Sequence, residues 1–246
     1  MSKRQSNEYS QPLKDDDLLP DKEISWYKKF VAEFIGTAFL VFVITGVVVL
    51  NQSYSSNGCF EGAFVLTSMI YVFGRISGGH FNPAVTIPMF LRKKITLKEC
   101  AYYIGAQIIG ALIGSLCVGL CNRGAFADLS GNTIRLSFKS RGWDYFSCFF
   151  IEVILTFCLV FVIFASTIKA NNFGNLTGLV VGISLYFLGI TGNTVSGGSL
   201  NPARSIAPAI IMSFKGNTTP LQHLWLFILA PITGGIAAGY LSIIFE

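Results

Sequence analysis

Long apolar runs separated by short polar segments dominate the pattern along this chain. Six of these runs are candidates for membrane helices: 30–50, 60–76, 99–121, 145–168, 176–192 and 223–245. A helix needs roughly 20 mostly apolar residues to cross the hydrocarbon core of a bilayer. The second run is short and ends at Arg75, and the fifth is short and more polar than the others. The pattern therefore predicts an all-α membrane protein with six transmembrane helices.

Two polar stretches with nearly the same letters interrupt this pattern. "SGGHFNPAV" occupies 77–85 after the second run, and "SGGSLNPAR" occupies 196–204 after the fifth. Asn-Pro is a strong helix start, because Asn caps a helix with its side-chain oxygen and Pro suits the first helical position. The letters that follow, "AVTIPMFL" and "ARSIAPAII", are apolar enough to enter the membrane. We therefore predict one half-helix after Asn82 and another after Asn201.

The two halves of the chain match beyond these stretches. "AEFIGTAFLVFV" (32–43) resembles "FIEVILTFCLVFV" (150–162). Glu33 precedes Asn82 by 49 positions (82 minus 33), and Glu152 precedes Asn201 by the same 49 (201 minus 152). This shared spacing indicates a duplication, with repeat one at about 30–121 and repeat two at about 145–245. "GALIG" (110–114) and "GGIAAG" (234–239) predict close helix crossings in the two repeats.

An odd number of spans in each repeat fixes their relative orientation. Because each repeat has three spans, the second must enter the membrane upside down relative to the first. The half-helices then enter from opposite faces as re-entrant segments, and their N-termini meet near the centre of the membrane. The predicted fold is therefore an inverted 3+3 repeat of six transmembrane helices plus two re-entrant half-helices.

Composition and charge agree with a multi-pass membrane protein. Hydrophobic residues make up 52% of the chain and charged residues only 13%, against about 25% charged in soluble domains. Residues 1–29 form a polar tail that we expect to be disordered, which leaves 30–246 as the membrane domain. Lys and Arg are concentrated in this tail and around 92–98, so the positive-inside rule predicts that both termini are cytoplasmic.

Other function classes find little support. The net charge of +5 follows from this orientation, and the chain has no basic stripe with interleaved aromatics that would indicate a nucleic-acid partner. The six cysteines show no CxxC pair or metal-ligand spacing. The two histidines do not assemble with Ser and Asp into a catalytic site. We therefore predict neither an enzyme nor a metal or cofactor site.

The two "NPA" triplets, the paired glutamates and "NPARS" resemble the aquaporin (major intrinsic protein) family over roughly 28–245. The resemblance implies a passive channel in the plasma membrane, assembled as a homotetramer with one pore in each lipid-embedded subunit. Its centre would be formed by two triplets: Asn82, Pro83 and Ala84, and Asn201, Pro202 and Ala203.

The resemblance also implies roles for single residues. The asparagine NH₂ groups would donate to a passing water molecule and break the hydrogen-bonded chain along which protons move. Arg204 resembles the arginine of the family's outer selectivity filter. Glu33 and Glu152 resemble glutamates that accept hydrogen bonds from the loops before the triplets, and His80 resembles a residue facing the lumen.

The other three filter positions depart from the pattern of water channels. Counting back from the asparagines without a gap places them at Gly62, Gly189 and Gly198. Three glycines beside Arg204 predict a wide constriction, which suits glycerol, urea or peroxide. Ser205 is instead typical of water channels. Three aromatic side chains could lean into the open space: Phe60, Phe64 and Phe187.

We therefore expect a water channel, with an aquaglyceroporin-type channel for small uncharged solutes as the alternative. A secondary transporter would share the inverted repeat, but it would usually place a titratable group at the midplane, where this chain has Asn. A sealed structural member of the family is the third possibility. Asn51 in "NQS" and Asn217 in "NTT" match the pattern for N-glycosylation.

Overall fold

The computed structural model describes residues 24–50, 58–135, 141–167 and 174–246, and these residues form eight α-helices. Six of the helices are long and apolar enough to cross a membrane, which confirms the predicted spans. In chain order the helices are α1 (Trp26–Leu50), α2 (Cys59–Ser77), α3 (Pro83–Leu91), α4 (Leu97–Cys121), α5 (Arg141–Thr167), α6 (Thr177–Asn193), α7 (Pro202–Ser213) and α8 (Thr219–Leu241). Short 3₁₀ helices at Gly174–Leu176 and Ser242–Phe245 flank α6 and α8.

The helix bounds differ from the predicted spans mainly at the ends. α1 begins at Trp26, so the last residues of the predicted tail are helical, and residues 1–23 lie outside the described residues. Asn51 and residue 168 also lie outside them. Asn217 is described, and its amide donates to the carbonyl of Ala127 at 3.0 Å.

The half-helices α3 and α7 start where the Asn-Pro pairs predict. Asn82 and Asn201 are in extended conformation, and their side-chain oxygens accept from the N–H groups of Ala84 at 2.9 Å and Ala203 at 3.0 Å. Proline occupies the first position of each helix, where no intrahelical N–H is needed. Both asparagines are only 6% exposed, so both half-helices begin in the interior.

Glycines set the spacing of the long helices. An added Cβ at Gly110 of α4 would overlap the carbonyl oxygen of Phe34 in α1, and one at Gly234 of α8 would overlap that of Val153 in α5. α4 therefore packs directly on the backbone of α1, and α8 on that of α5, as the small-residue spacing predicted. These are the corresponding helix pairs of the two repeats, and α2 and α6 join the repeats by packing on each other.

Several polar side chains lie inside this bundle, and many large apolar side chains are exposed on its surface. Glu33, Gln107 and Glu152 are fully buried, whereas Phe150 is 54% exposed. Buried polar groups beneath a surface rich in large apolar side chains fit a bundle surrounded by lipid. The chain is thus a multi-pass membrane protein.

Both ends of the described chain lie at one end of the bundle. Lys29 pairs with Glu99 at 2.5 Å, and Glu246 pairs with Arg92 at 2.7 Å and with Lys94 at 3.3 Å. We call this end the terminal face. The opposite end of the bundle, where α1 ends and α2 begins, is called the distal face.

Candidate functional site

The two half-helices meet at their capping asparagines, and each asparagine binds the opposite loop. Asn82 Nδ2 donates to the carbonyl of Leu200 at 2.8 Å, and Asn201 Nδ2 donates to the carbonyl of Phe81 at 2.9 Å. An amide NH₂ has two hydrogens, so each side chain keeps one for another acceptor. Both asparagines border a large cavity. The junction therefore presents two amide donors and two positive helix ends to that cavity.

A pair of left-handed residues makes this exchange possible. Phe81 has φ 49° and Leu200 has φ 53°, a conformation that costs about 1–2 kcal/mol for a residue with a side chain. Both side chains are fully buried in the same hydrophobic cluster, which holds the backbone in place. Their carbonyls turn toward the opposite asparagine. This strain could not be predicted from the sequence, because neither residue is of a type that favours positive φ.

Two glutamates hold the loops that lead to the asparagines. Glu33 accepts from Ser77 Oγ at 2.6 Å, from the backbone N–H of His80 at 2.9 Å and from that of Phe81 at 2.7 Å. Glu152 accepts from Ser196 Oγ at 2.6 Å, and from the backbone N–H groups of Ser199 at 2.8 Å and Leu200 at 2.9 Å. The sequence separations are 44, 47 and 48 in both halves.

The first repeat extends its glutamate cluster further than the second. Gln107 Nε2 donates to Glu33 Oε2 and to Thr86 Oγ1, both at 2.8 Å. Thr86 Oγ1 also lies 3.2 Å from Nδ1 of His80, whose ring borders the large cavity. Sequence reasoning missed Gln107 and Thr86. The signal was available for Gln107, since it is an uncharged polar residue inside the apolar run of α4.

The large cavity opens toward the terminal face and has a volume of about 660 Å³. Lys29, Lys94 and Glu99 lie in its wall near that face, and His80 lies deeper. Its inner end is bordered by the two asparagines and Arg204. An aliphatic wall completes it: Leu40, Ile44, Leu66, Val85, Leu159, Val181 and Leu185. The cavity thus has one polar wall and one apolar wall, which is an arrangement that suits a file of small polar molecules.

A second, much smaller cavity of about 40 Å³ lies on the distal side of Arg204. Gly62, Gly189 and Gly198 border it, so the structure brings the four predicted filter positions together. A volume of this size holds about one to three water molecules. The two cavities share four wall residues, which places the constriction between them: Ile44, Leu185, Ser199 and Arg204.

Arg204 is buried beside this constriction, at 5% exposure. Its Nη2 donates to the carbonyl of Ser130 at 3.2 Å, and its Nη1 has no hydrogen-bond partner among the described residues. Asn132, two residues after Ser130, accepts from the hydroxyl of Ser205 at 2.9 Å and anchors the same loop. Nη1 is therefore a buried donor available to a molecule in the constriction.

A second arginine adds positive charge at the distal face. Arg135 Nη1 donates to the side-chain oxygen of Asn193 at 2.8 Å and to its carbonyl at 3.1 Å. Partial burial lowers the pKa of Arg135 below its usual range. Two arginine side chains therefore lie on the distal side of the bundle.

The space beside two of the three predicted filter glycines is occupied by other side chains. The ideal Cβ position of Gly62 lies 2.9 Å from Ile44 Cγ1, and that of Gly189 lies 2.9 Å from Cys59 Sγ. The three aromatic side chains that could have leaned into this space do not do so: Phe60, Phe64 and Phe187 are 54–62% exposed on the outer surface. Counting back from the asparagines identifies single positions and not their neighbours in space, so it did not find Ile44 in α1 or Cys59 at the start of α2.

Comparison with known proteins agrees with this geometry. The profile of the family described as Major intrinsic protein matches residues 21–242. The chain is 40% identical over 215 residues to glycerol uptake facilitator protein-like 6 of Lactiplantibacillus plantarum, covering 87% of this chain and 95% of that protein. It is 33% identical over 222 residues to Nodulin-26 of Glycine max, covering 88% and 77%.

A solved structure shares the fold. The X-ray structure of the aquaglyceroporin from Plasmodium falciparum superposes with a TM-score of 0.77 at 24% identity, covering 88% of this chain and 95% of that one. The two half-helices, their loops and six membrane-spanning helices thus have a counterpart of known architecture. With a family match over 21–242, the chain belongs to the major intrinsic protein family of membrane channels.

Proposed function

We propose that this channel conducts water passively and excludes protons and other ions. The observation that carries the proposal is the junction of the half-helices, where Asn82 and Asn201 each keep one amide hydrogen directed at the cavity. A water molecule that accepts from both must turn its own hydrogens away from them. Its two neighbours in the file are then oriented in opposite directions, and the chain of hydrogen bonds needed for proton hopping is broken. The positive ends of α3 and α7 add an electrostatic barrier to cations.

Arg204 takes the role of the distal filter. Its unpartnered Nη1 replaces hydrogen bonds that a water molecule gives up on entering the constriction, and its charge repels cations together with Arg135. Glu33 and Glu152 support the two loops and do not contact the solute. His80 borders the wider part of the path, where its ring offers a further hydrogen-bonding group to water.

The surroundings follow from the same proposal. The exposed aromatic and aliphatic side chains contact lipid and neighbouring subunits of a homotetramer, with one pore in each subunit. The concentration of Lys and Arg around the terminal face favours that face as cytoplasmic in a plasma membrane.

The test is osmotic shrinkage of proteoliposomes, followed by stopped-flow light scattering after a step in sucrose. The rate should exceed that of protein-free vesicles and rise in proportion to the gradient. A rate equal to that of protein-free vesicles would instead support a sealed structural protein. Saturation with a dependence on an ion gradient would support a secondary transporter.

A pair of substitutions tests the central barrier. Asn82→Asp combined with Asn201→Asp places negative charge against the two helix ends and should admit protons or cations. A pH-sensitive dye inside the vesicles reports the leak, and Asn175→Asp at an exposed position is the matched control. Unchanged proton leak and unchanged water flux in the double variant would overturn the assignment.

Glycerol is the second candidate solute. The observation in its favour is the 40% identity to a protein named as a glycerol uptake facilitator. In a glycerol gradient, a glycerol-conducting channel gives shrinkage followed by rapid reswelling. Shrinkage alone would restrict the channel to water.

A further inference from the structure

Two side chains from outside the predicted filter occupy the space that its glycines leave. The ideal Cβ of Gly62 would lie 2.9 Å and 3.0 Å from Cγ1 and Cδ1 of Ile44. The ideal Cβ of Gly189 would lie 2.9 Å from Sγ of Cys59 and 3.3 Å from its Cβ. All four distances are shorter than ordinary van der Waals contact. The glycines are therefore the positions against which Ile44 of α1 and Cys59 of α2 pack, and they do not leave an open gap.

Ile44 and Cys59 also line the constriction itself. Both belong to the wall of the 40 Å³ cavity that contains Arg204, and Ile44 lies in the wall of the large cavity as well. Cys59 is the first residue of α2 and is 9% exposed. Its sulfur therefore lies in a narrow passage, and a probe must enter that passage to reach it.

Arg204 provides an independent sign that a molecule passes at this point. A buried N–H group without a partner costs free energy, and native proteins leave few of them. Nη1 of Arg204 is such a group among the described residues, on a side chain that is 95% buried. A polar solute atom in the small cavity would satisfy it. The same solute would then touch the opposite, apolar part of the wall.

We propose that Ile44 and Cys59 determine the width of the distal constriction and so the largest neutral solute that this channel admits. The inference rests on the proposed function as a channel for water. A solute must bind Arg204 through its polar atoms while it passes these two side chains. The sulfur and the isoleucine methyl groups present no hydrogen-bond acceptor of comparable strength to a carbonyl, so they select by size. Polar selection remains with Arg204.

The test compares water and glycerol permeability in proteoliposomes of the unmodified channel and three variants. Cys59→Ala and Ile44→Ala remove wall atoms and should each raise the ratio of glycerol to water permeability severalfold. Cys59→Ser keeps nearly the same volume and should change this ratio less than Cys59→Ala. Equal ratios in all four proteins, with water flux well above protein-free vesicles, would overturn the inference and leave the proposed function intact.

Thiol modification tests the same position in the folded, unmodified channel. Methyl methanethiosulfonate transfers its S–CH₃ group to the thiolate of Cys59 and releases methanesulfinate, which adds bulk inside the constriction. Glycerol flux should fall more than water flux, and dithiothreitol should restore both. Cys59→Ser should be insensitive, whereas Cys121→Ser, at an exposed position, should remain as sensitive as the unmodified channel. Equal sensitivity of Cys59→Ser and the unmodified channel would show that Cys59 does not line the constriction.

The outcomes separate the two proposals. If no variant and no unmodified protein exceeds the water flux of protein-free vesicles, the channel function fails and the width assignment fails with it. If water flux is present and only the ratios or the thiol sensitivity disagree, the width assignment alone is wrong.

Discussion

Replacing Glu33 by glutamine tests whether the glutamate clusters hold the pore together. Glu33 Oε1 accepts from Ser77 and from the backbone N–H of His80, and Oε2 accepts from Gln107 and from the backbone N–H of Phe81. Glutamine has the same shape but replaces one oxygen by NH₂. The hydroxyl of Ser77 or the side-chain amide of Gln107 can turn and accept a hydrogen bond from this NH₂ group. A backbone N–H cannot, so either His80 or Phe81 loses its acceptor whichever way the amide is oriented.

One buried N–H without an acceptor costs about 1–3 kcal/mol. For a chain of this size, 1 kcal/mol corresponds to a shift in melting temperature of about 2–4 °C. Glu33→Gln should therefore melt roughly 2–12 °C below the unmodified protein in detergent. Water flux should fall too, because the loop at Phe81 positions the carbonyl that Asn201 binds.

Two controls make this prediction sharp. Asp128→Asn is the same change at an exposed loop position and should leave the melting temperature and the flux unchanged. Glu152→Gln should match Glu33→Gln, since its amide would face the backbone N–H of either Ser199 or Leu200. An unaltered melting temperature and water flux in Glu33→Gln would refute the reasoning.

Three further predictions follow from single contacts. Gly110→Ala should destabilise the protein by about 1–3 kcal/mol through overpacking against α1, whereas Gly105→Ala in the same helix meets open space and should be neutral or stabilising. Thermal unfolding compares the two variants, and equal effects would contradict the packing of α4 on α1. The hydrogen bond from Arg92 holds the pKa of Glu246 below its ordinary 4.5. The difference in stability between the unmodified protein and Glu246→Gln should therefore be present above pH 4.5 and disappear as the pH falls through the lowered pKa. A difference that grows in acid would refute this prediction. Gly189→His should reduce water and glycerol flux together, because the imidazole would displace a wall already filled; selective loss of glycerol in stopped-flow assays would indicate an open gap instead.

The architecture was predictable because it depends on short-range patterns. Apolar run length identifies the spans, and the chemistry of Asn-Pro identifies the half-helix starts, which the structure places at Pro83 and Pro202. Helix crossings at Gly110 and Gly234 follow from small-residue spacing in the same way. Each of these signals is contained within a single helix or turn.

The details of the central junction depend on contacts that no local pattern contains. Asn82 binds the carbonyl of Leu200 across a sequence separation of 118, and the binding requires a left-handed leucine. The equal 49-residue spacing of glutamate and asparagine did indicate that Glu33 and Glu152 occupy equivalent places. It could not reveal Gln107, because the second repeat has no equivalent hydrogen bond to Glu152 among the described residues.

At the predicted filter, a sequence pattern can indicate which residues come together, but it cannot indicate how wide the passage between them is. Counting back from the asparagines located Gly62 and Gly189, and both border the small cavity. The count works because no residue is inserted between each asparagine and the predicted filter position in the preceding helix. Width, however, is a property of the side chains that approach the glycines from α1 and from the start of α2. A glycine permits such an approach and can therefore narrow a channel as readily as it can widen one. At Gly62 and Gly189 the approaching atoms belong to Ile44 and Cys59, so the width that we propose for the passage beside Arg204 depends on these two side chains, even though three of its four expected filter residues have no side chain.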